Sequence, residues 1–199
     1  MTAADIIDAW DQADPAAIHP TRGIDEDAYW DSGRNQAALL GTVLPDGAKV
    51  VDFGCGDGRV AIPLRALGYD VTAADASQNM LDRLHQHDPG MPTLLNSGDG
   101  LYAVLGKKVD AVVALAVLIH HGYADCLDLL AELRQTVKLG GLLILDWPVS
   151  DDPVEGQVWL DVTTWSQEAH DDACKRIGLK PVEAHLPWGV YRAVKPATD

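Results

Sequence analysis

The chain has 199 residues, of which 47% are hydrophobic and 23% charged, a composition that suits one ordinary folded domain and excludes disordered or fibrous classes. Its formal net charge of −15 argues against a nucleic-acid partner, because that affinity rests on Lys and Arg displacing counterions, and favours a small-molecule ligand. The three cysteines, Cys55, Cys126 and Cys174, show neither CxxC nor metal-ligand spacing, and no run of about 20 apolar residues or basic leader is present; the expectation is a reduced, cytoplasmic protein with no membrane partner and no bound metal.

Taken in order, Ala3 to Trp10 places Ile6, Ile7 and Trp10 on one helical face and reads as a short lid or packing helix. Asp25 to Leu44 reads as a second helix, interrupted near Ser32-Gly33 and ended by Pro45-Asp46-Gly47. Residues 1–45 are thus expected to form a helical cover and residues 46–199 an α/β core. In the core, apolar runs alternate with amphipathic stretches, as βα units around a buried sheet require. Strands are expected at Lys49–Phe53, Asp70–Asp75, Thr93–Asn96, Val109–Leu115 and Leu142–Trp147, with helices near Arg59–Leu67, Ser77–His87 and Ala124–Lys138. A long loop, Val149–Thr163, is expected over the sheet, then a helix near Thr164–Ile177 and strands at Lys180–Leu186 and Gly189–Val194.

The segment Asp52-Phe53-Gly54-Cys55-Gly56-Asp57-Gly58-Arg59 carries an apolar strand into a glycine-rich turn and then a helix. Glycines there permit a tight turn and let a ligand approach bare backbone amides. About twenty residues on, the next strand ends at Asp75, a position from which a carboxylate can accept hydrogen bonds from a ribose; capping the helix after Ser77 is the plainer alternative.

This arrangement resembles the class I S-adenosylmethionine-dependent methyltransferases, in which an acidic residue precedes G-x-G-x-G. A nicotinamide-dependent oxidoreductase, the rival enzyme class, would show G-x-G-x-x-G, and Arg59 stands where its last glycine belongs. A protein that binds the methyl donor without catalysis is the third reading. The resemblance runs from about Tyr29 to Val194 and takes in Asn96-Ser97-Gly98-Asp99-Gly100, Leu115 to His121 and Leu139-Gly140-Gly141. It implies a Rossmann-like, mostly parallel seven-stranded sheet with helices on both faces. It also implies S-adenosylmethionine as cofactor, S-adenosylhomocysteine as product, and a small-molecule methyl acceptor. The residues it assigns to the donor are Arg34, Asp52, Gly54, Cys55, Gly56, Asp75, Ala76, Asp99, Gly100 and Leu115, with Arg34 facing the donor carboxylate and Asp99 the adenine. Tyr29, Trp30 and Trp147 are expected at the substrate, although packing the core or its cover suits each as well.

Ligands of such sheets sit at the carboxyl ends of the strands, which singles out His120, His121, Asp146 and Trp147. The sulfonium is already a good leaving group, so alignment with the acceptor matters most. Should the acceptor lose a proton, His120 or His121 titrates in the useful range. His85 and His87 lie two apart and would point to different sides of a helix, so they do not form a metal pair.

Overall fold

A computed structural model of the chain describes residues 3–14, 25–96, 98 and 100–197. Two helices come first, α1 (Ala3–Gln12) and α2 (Glu26–Gly41). The core runs β1 (Lys49–Phe53), α3 (Ala61–Ala66), β2 (Asp70–Asp75), α4 (Gln78–His87), β3 (Thr93–Leu95), α5 (Leu101–Leu105) and β4 (Val109–Ala114). A 3-10 turn (Leu118–His120) leads to α6 (Tyr123–Thr136), β5 (Val137–Leu145), α7 (Gln167–Ile177), β6 (Leu179–Pro181) and β7 (Gly189–Ala193).

Among the described residues one seven-stranded sheet has the order β3-β2-β1-β4-β5-β7-β6. The strands β1 to β5 pair in parallel, whereas β7 runs antiparallel to both β5 and β6. Side chains alternate across each strand, so the near-continuous apolar runs feed two cores. Val51, Val112, Leu143 and Leu145 pack on one face with Leu101 of α5, Leu130 and Leu133 of α6 and Cys174 of α7. Val50, Val71, Ala111 and Ile144 pack on the other with Leu40 of α2, Leu64 of α3 and Leu84 of α4. The strand order reverses between β1 and β4, and the chain leaves both strands there at their carboxyl ends, opening a crevice.

Several boundaries differ from the sequence reading. Helix α2 is continuous through Ser32 and Gly33, because Gly33 is the point of closest approach to the next element: a Cβ there would lie 2.0 Å from the Arg59 carbonyl oxygen. The fifth strand begins at Val137 and stops at Leu145, leaving Asp146 and Trp147 beyond it; the register with β4 jumps from Val109↔Val137 to Ala111↔Leu142, so residues 138–141 bulge out around Gly140 at φ 85°. The short helix α5 was not expected; the Glu132 carboxylate of α6 accepts from the Leu101 N–H at its first turn, a contact remote in sequence. The sixth strand shrinks to three residues, Leu179–Pro181, where a longer run to Leu186 is predicted. Among the described residues, no helix is long and apolar enough to cross a membrane.

Candidate functional site

The turn after β1 is fixed by backbone. The N–H groups of Gly54 and Cys55 both donate to the Ala74 carbonyl of β2, at 2.8 and 3.1 Å, while Gly54, Gly56 and Gly58 hold φ of 71°, 55° and 91°. Positive φ of this kind is costly for a side-chain-bearing residue, and a Cβ on Gly54 would also meet Val117 Cγ2 at 2.3 Å. Among the described residues nothing lies within 4 Å of where a Cβ of Gly56 would be, so they leave the loop's backbone open there.

Asp75 closes the other side of this turn. Its Oδ2 accepts from Gly56 N–H at 2.8 Å and its Oδ1 from Ser77 N–H at 2.9 Å. Burial pushes its pKa up, and those backbone donors hold it back. The carboxylate thus organises the entry to α4, whose N-cap is Ser77, and it does so from the edge of the glycine turn.

Asp52 is buried at the end of β1, with its Oδ2 lacking a hydrogen-bond partner among the described residues. Desolvation raises its pKa to about 7, with Arg59 opposing and Asp75 reinforcing the shift. An acid with a folded pKa above its unfolded value costs stability as pH rises through that window, from about 4 upward. Asp52→Asn is thus expected to raise Tm by a few degrees at pH 8 and hardly at all at pH 4, measured by thermal melts; equal shifts at both pH values would refute this linkage.

A cavity of roughly 690 Å³ lies over these groups. Its wall contains Tyr29, Asp52, Gly54, Cys55, Gly56, Asp75, Ala76, Leu115, His120 and His121, so ten of the sequence-predicted positions converge. It also contains Arg59 and Asn96, which the sequence reading did not assign to the site, together with Ile6, Ile7 and Trp10 of α1, expected as a lid or packing helix, and Leu160 and Val162 of the loop expected over the sheet. Helix α1 is clasped over the cavity by Asp11, whose carboxylate accepts from Ser77 Oγ at 2.6 Å and from Asn79 Nδ2 at 2.7 Å. Trp10 packs at a tilt against His120 and edge-on against Trp159, with ring centroids 5.7 and 5.2 Å away.

Four predicted positions lie elsewhere. Arg34 is exposed on α2 and paired with Asp31 of its own helix; three residues on, its side chain follows the solvent face while Gly33 and Ala37 face inward. Trp30 packs edge-on against His87, 4.6 Å between centroids. Trp147 is buried among Trp165, His170 and Tyr191 in the core, since β5 ends two residues before it. Gly100 is the N-cap of α5 and is absent from the cavity wall, where Gly98 appears instead. Asp99 falls outside the described residues.

The cavity's arginine is Arg59. Its Nη1 donates to Ser32 Oγ at 2.9 Å and to Gln36 Oε1 at 2.7 Å, and its guanidinium lies 5.4 Å from the Tyr29 ring centre. Tyr29 in turn donates its hydroxyl to Asp57 Oδ1 at 2.7 Å. Sequence reasoning used Arg59 only as the residue that spoils a dinucleotide motif. Its place directly after the glycine triplet, opening the helical segment, was the signal that it faces the same crevice.

The two histidines follow β4 through a bent turn. Ala116 has φ 56°, held there as its N–H donates to Asp146 Oδ2 at 2.9 Å; Asp146 thus shapes the turn and does not line the cavity. His120 Nδ1 sits 3.1 Å from the Asp161 carbonyl oxygen. A carbonyl only accepts, so Nδ1 carries the hydrogen and Nε2 is the basic nitrogen. Burial lowers the pKa of both histidines, which keeps them neutral near pH 7; His121 Nδ1 is buried without a hydrogen-bond partner among the described residues.

With that geometry in view, the similarities to other proteins are specific. Residues 25–182 match the family model described as a methyltransferase domain. The ubiquinone biosynthesis O-methyltransferase of Cereibacter sphaeroides (strain ATCC 17025) is 34% identical over 109 residues, 53% of this chain and 43% of that protein. The protein of the same description from Roseobacter denitrificans is 33% identical over 101 residues, 49% of this chain and 40% of that one. The match therefore spans less than half the length of these curated relatives. Magnesium protoporphyrin IX methyltransferase from Synechocystis PCC 6803, solved with bound S-adenosylmethionine, superposes with a TM-score of 0.67 at 18% identity over 98% of this chain and all of that one. The CcbJ methyltransferase from Streptomyces caelestis does so with 0.63 at 19% identity over 96% of each chain. At such identities the structures bear on the fold, which is the Rossmann-like one shared by class I methyltransferases. The family model covers most of the sequence, including the glycine turn, Asp75 and both histidines: the chain belongs to the methyltransferase domain family.

Proposed function

We propose that the protein is an S-adenosylmethionine-dependent methyltransferase acting on a small molecule in a cytoplasmic setting. The observation that carries this reading is the Asp75 carboxylate tied to Gly56 N–H at the floor of a 690 Å³ cavity, beside backbone that is open to a ligand. That volume lies within the range of about 300–1,000 Å³ usual for small-molecule sites. Two similar proteins support it from outside, the ubiquinone biosynthesis O-methyltransferase among the relatives and the magnesium protoporphyrin IX methyltransferase solved with bound S-adenosylmethionine. The buried free thiols Cys55, Cys126 and Cys174 suit a reducing compartment.

The residues present fit this donor. Asp75 would accept from the ribose hydroxyls, Ala76 and Leu115 offer apolar surface to a purine, and Arg59 replaces Arg34 as the cation for the donor's carboxylate. Asp52, buried with one oxygen lacking a partner among the described residues, would accept from the donor's amino group. When bound, the donor supplies a methyl group on a positively charged sulfur. The chain's own work is to align the acceptor, exclude water beneath α1 and take up a proton. His120 Nε2 is placed for the last task, since its partner nitrogen is already committed to Asp161.

Calorimetric titration tests the reading. S-adenosylhomocysteine and S-adenosylmethionine should bind saturably and NADH should not; binding of NADH alone would overturn it. With an acceptor in hand, His120→Gln is expected to lower kcat by about 100-fold or more with little change in S-adenosylhomocysteine affinity. The wild-type rate should rise with pH through an apparent pKa below 6.5, as the lowered pKa of His120 requires a neutral base. A rate indifferent to His120→Gln would show that alignment alone suffices.

A further inference from the structure

Helix α2 carries a stripe of groups that all meet one residue. Tyr29, Ser32 and Gln36 stand at positions i, i+3 and i+7, so one face of the helix presents them in line. Arg59 crosses that line: its Nη1 donates to Ser32 Oγ and to Gln36 Oε1, and its guanidinium lies over the Tyr29 ring. The helix can come this close because Gly33, beside Ser32, has no side chain to strike the Arg59 backbone. Ser32 is itself braced, since its hydroxyl donates to the Tyr29 carbonyl at 2.6 Å.

This cradle contains no negative charge. A serine hydroxyl, a carboxamide and an aromatic face hold the cation in place and leave its charge uncompensated. Among the described residues Arg34 pairs with Asp31 and Arg65 with Asp88, whereas no carboxylate forms an ion pair with Arg59. Asp57, two residues away in sequence, is engaged by the Tyr29 hydroxyl instead. Arg59 is partly buried on the wall of the main cavity, and no other Arg and no Lys lines that wall among the described residues. Both bonds to α2 leave from Nη1, which pins one arm of the fork without spending the other. A partly buried cation that is held but not neutralised is costly by itself, and a planar fork of this kind matches a carboxylate brought by a ligand.

We propose that Gln36, with Ser32, is a positioning residue for donor binding: it holds Arg59 at the cavity through neutral acceptors, so that the guanidinium charge is kept for the carboxylate of the donor's amino-acid end. The inference rests on the methyltransferase reading and deepens it, because it makes α2 part of the donor site as well as its cover. It also says what residue 36 must not be. A carboxylate there would satisfy Arg59 and compete with the donor, so stability and affinity should move in opposite directions.

The test titrates two ligands by calorimetry into the whole protein: S-adenosylhomocysteine and its decarboxylated analogue, which keeps the adenosine, the thioether and the amine and lacks only the carboxylate. The parent is expected to prefer S-adenosylhomocysteine by about tenfold or more, the worth of one charge-assisted contact. Gln36→Glu should weaken S-adenosylhomocysteine by about tenfold, leave the analogue's affinity unchanged and hold or raise Tm. Gln36→Leu, which releases the pinned arm, should narrow the preference, and Ser32→Thr, which keeps the hydroxyl, should preserve it. A Gln36→Glu protein that keeps the parent's preference, or that loses both ligands alike, overturns the proposal. Equal binding of the two ligands by the parent overturns it as well, and strikes at the role of Arg59 and Gln36 alone. No binding of S-adenosylhomocysteine by the parent is a different result, which brings down the methyltransferase reading and this inference with it.

Discussion

Asp75→Ala is expected to lose S-adenosylhomocysteine binding by about 100-fold or more, the loss of two charge-assisted hydrogen bonds at about 1.5–3 kcal/mol each. The side chain has two jobs, and they can be separated. Toward the protein it accepts from Gly56 and Ser77 N–H groups; toward a ligand it offers a buried carboxylate. Because burial raises its folded pKa above the unfolded value, its charge works against stability at pH 7, and deleting it relieves that cost while stranding two donors. The melting temperature should therefore move by only a few degrees while affinity collapses. Asp75→Asn, which keeps one acceptor oxygen, should lose less, about tenfold. Calorimetry on the three proteins decides it: unchanged affinity in the alanine variant would remove Asp75 from the site, whereas a collapse of Tm would make its role structural.

What could be read in the sequence and what could not divide along physical lines. Strands β1 and β2 were legible to the residue, because each carries a short, mostly apolar and mostly buried run, Val50-Val51 in one and Val71 to Ala74 in the other, between a charged first residue and an acidic residue near the strand's end. The glycine turn and Asp75 were legible because their chemistry is local: positive φ needs glycine, and a strand's end sets where a carboxylate stands. Arg34 and Arg59 could not be told apart in this way. Arg34 lies within α2 and Arg59 just after the glycine turn, and only tertiary packing shows that Arg34 finds Asp31 in solvent while Arg59 meets Ser32 and Gln36 of α2. Trp147 failed for a related reason: a tryptophan just past a strand suits a pocket or a core equally, and His170 and Tyr191, which surround it, come from elements far along the chain. The fixed tautomer of His120 depends on the carbonyl of Asp161, 41 residues away, which no local pattern foretells.

Gly33→Val carries the largest expected loss of stability, and it concerns the residue where the sequence suggested a break in α2. A Cβ at 33 would stand 2.0 Å from the Arg59 carbonyl oxygen, 2.7 Å from Arg59 Cγ and 2.8 Å from its carbonyl carbon. Two of these atoms are backbone at the start of the segment that leaves the glycine turn, so relief requires α2 to lift or the turn to shift. Overpacking of a tight contact costs about 1–3 kcal/mol even where side chains can yield, and here about 3 kcal/mol or more is expected, a fall in Tm of roughly 6–12 °C for a chain of this size. Lifting α2 would also part Arg59 from Ser32 and Gln36 and Tyr29 from Asp57, so S-adenosylhomocysteine affinity should fall with stability. Gly41→Ala is the control on the same helix: its Cβ would meet only the Tyr69 hydroxyl at 3.5 Å, an ordinary contact. Alanine favours helix over glycine by up to about 1 kcal/mol in the interior, so Tm should hold or rise slightly. If Gly33→Val melted like the parent, the close docking of α2 on Arg59 would be wrong, and with it the reason that an arginine after the glycine triplet reaches the cavity.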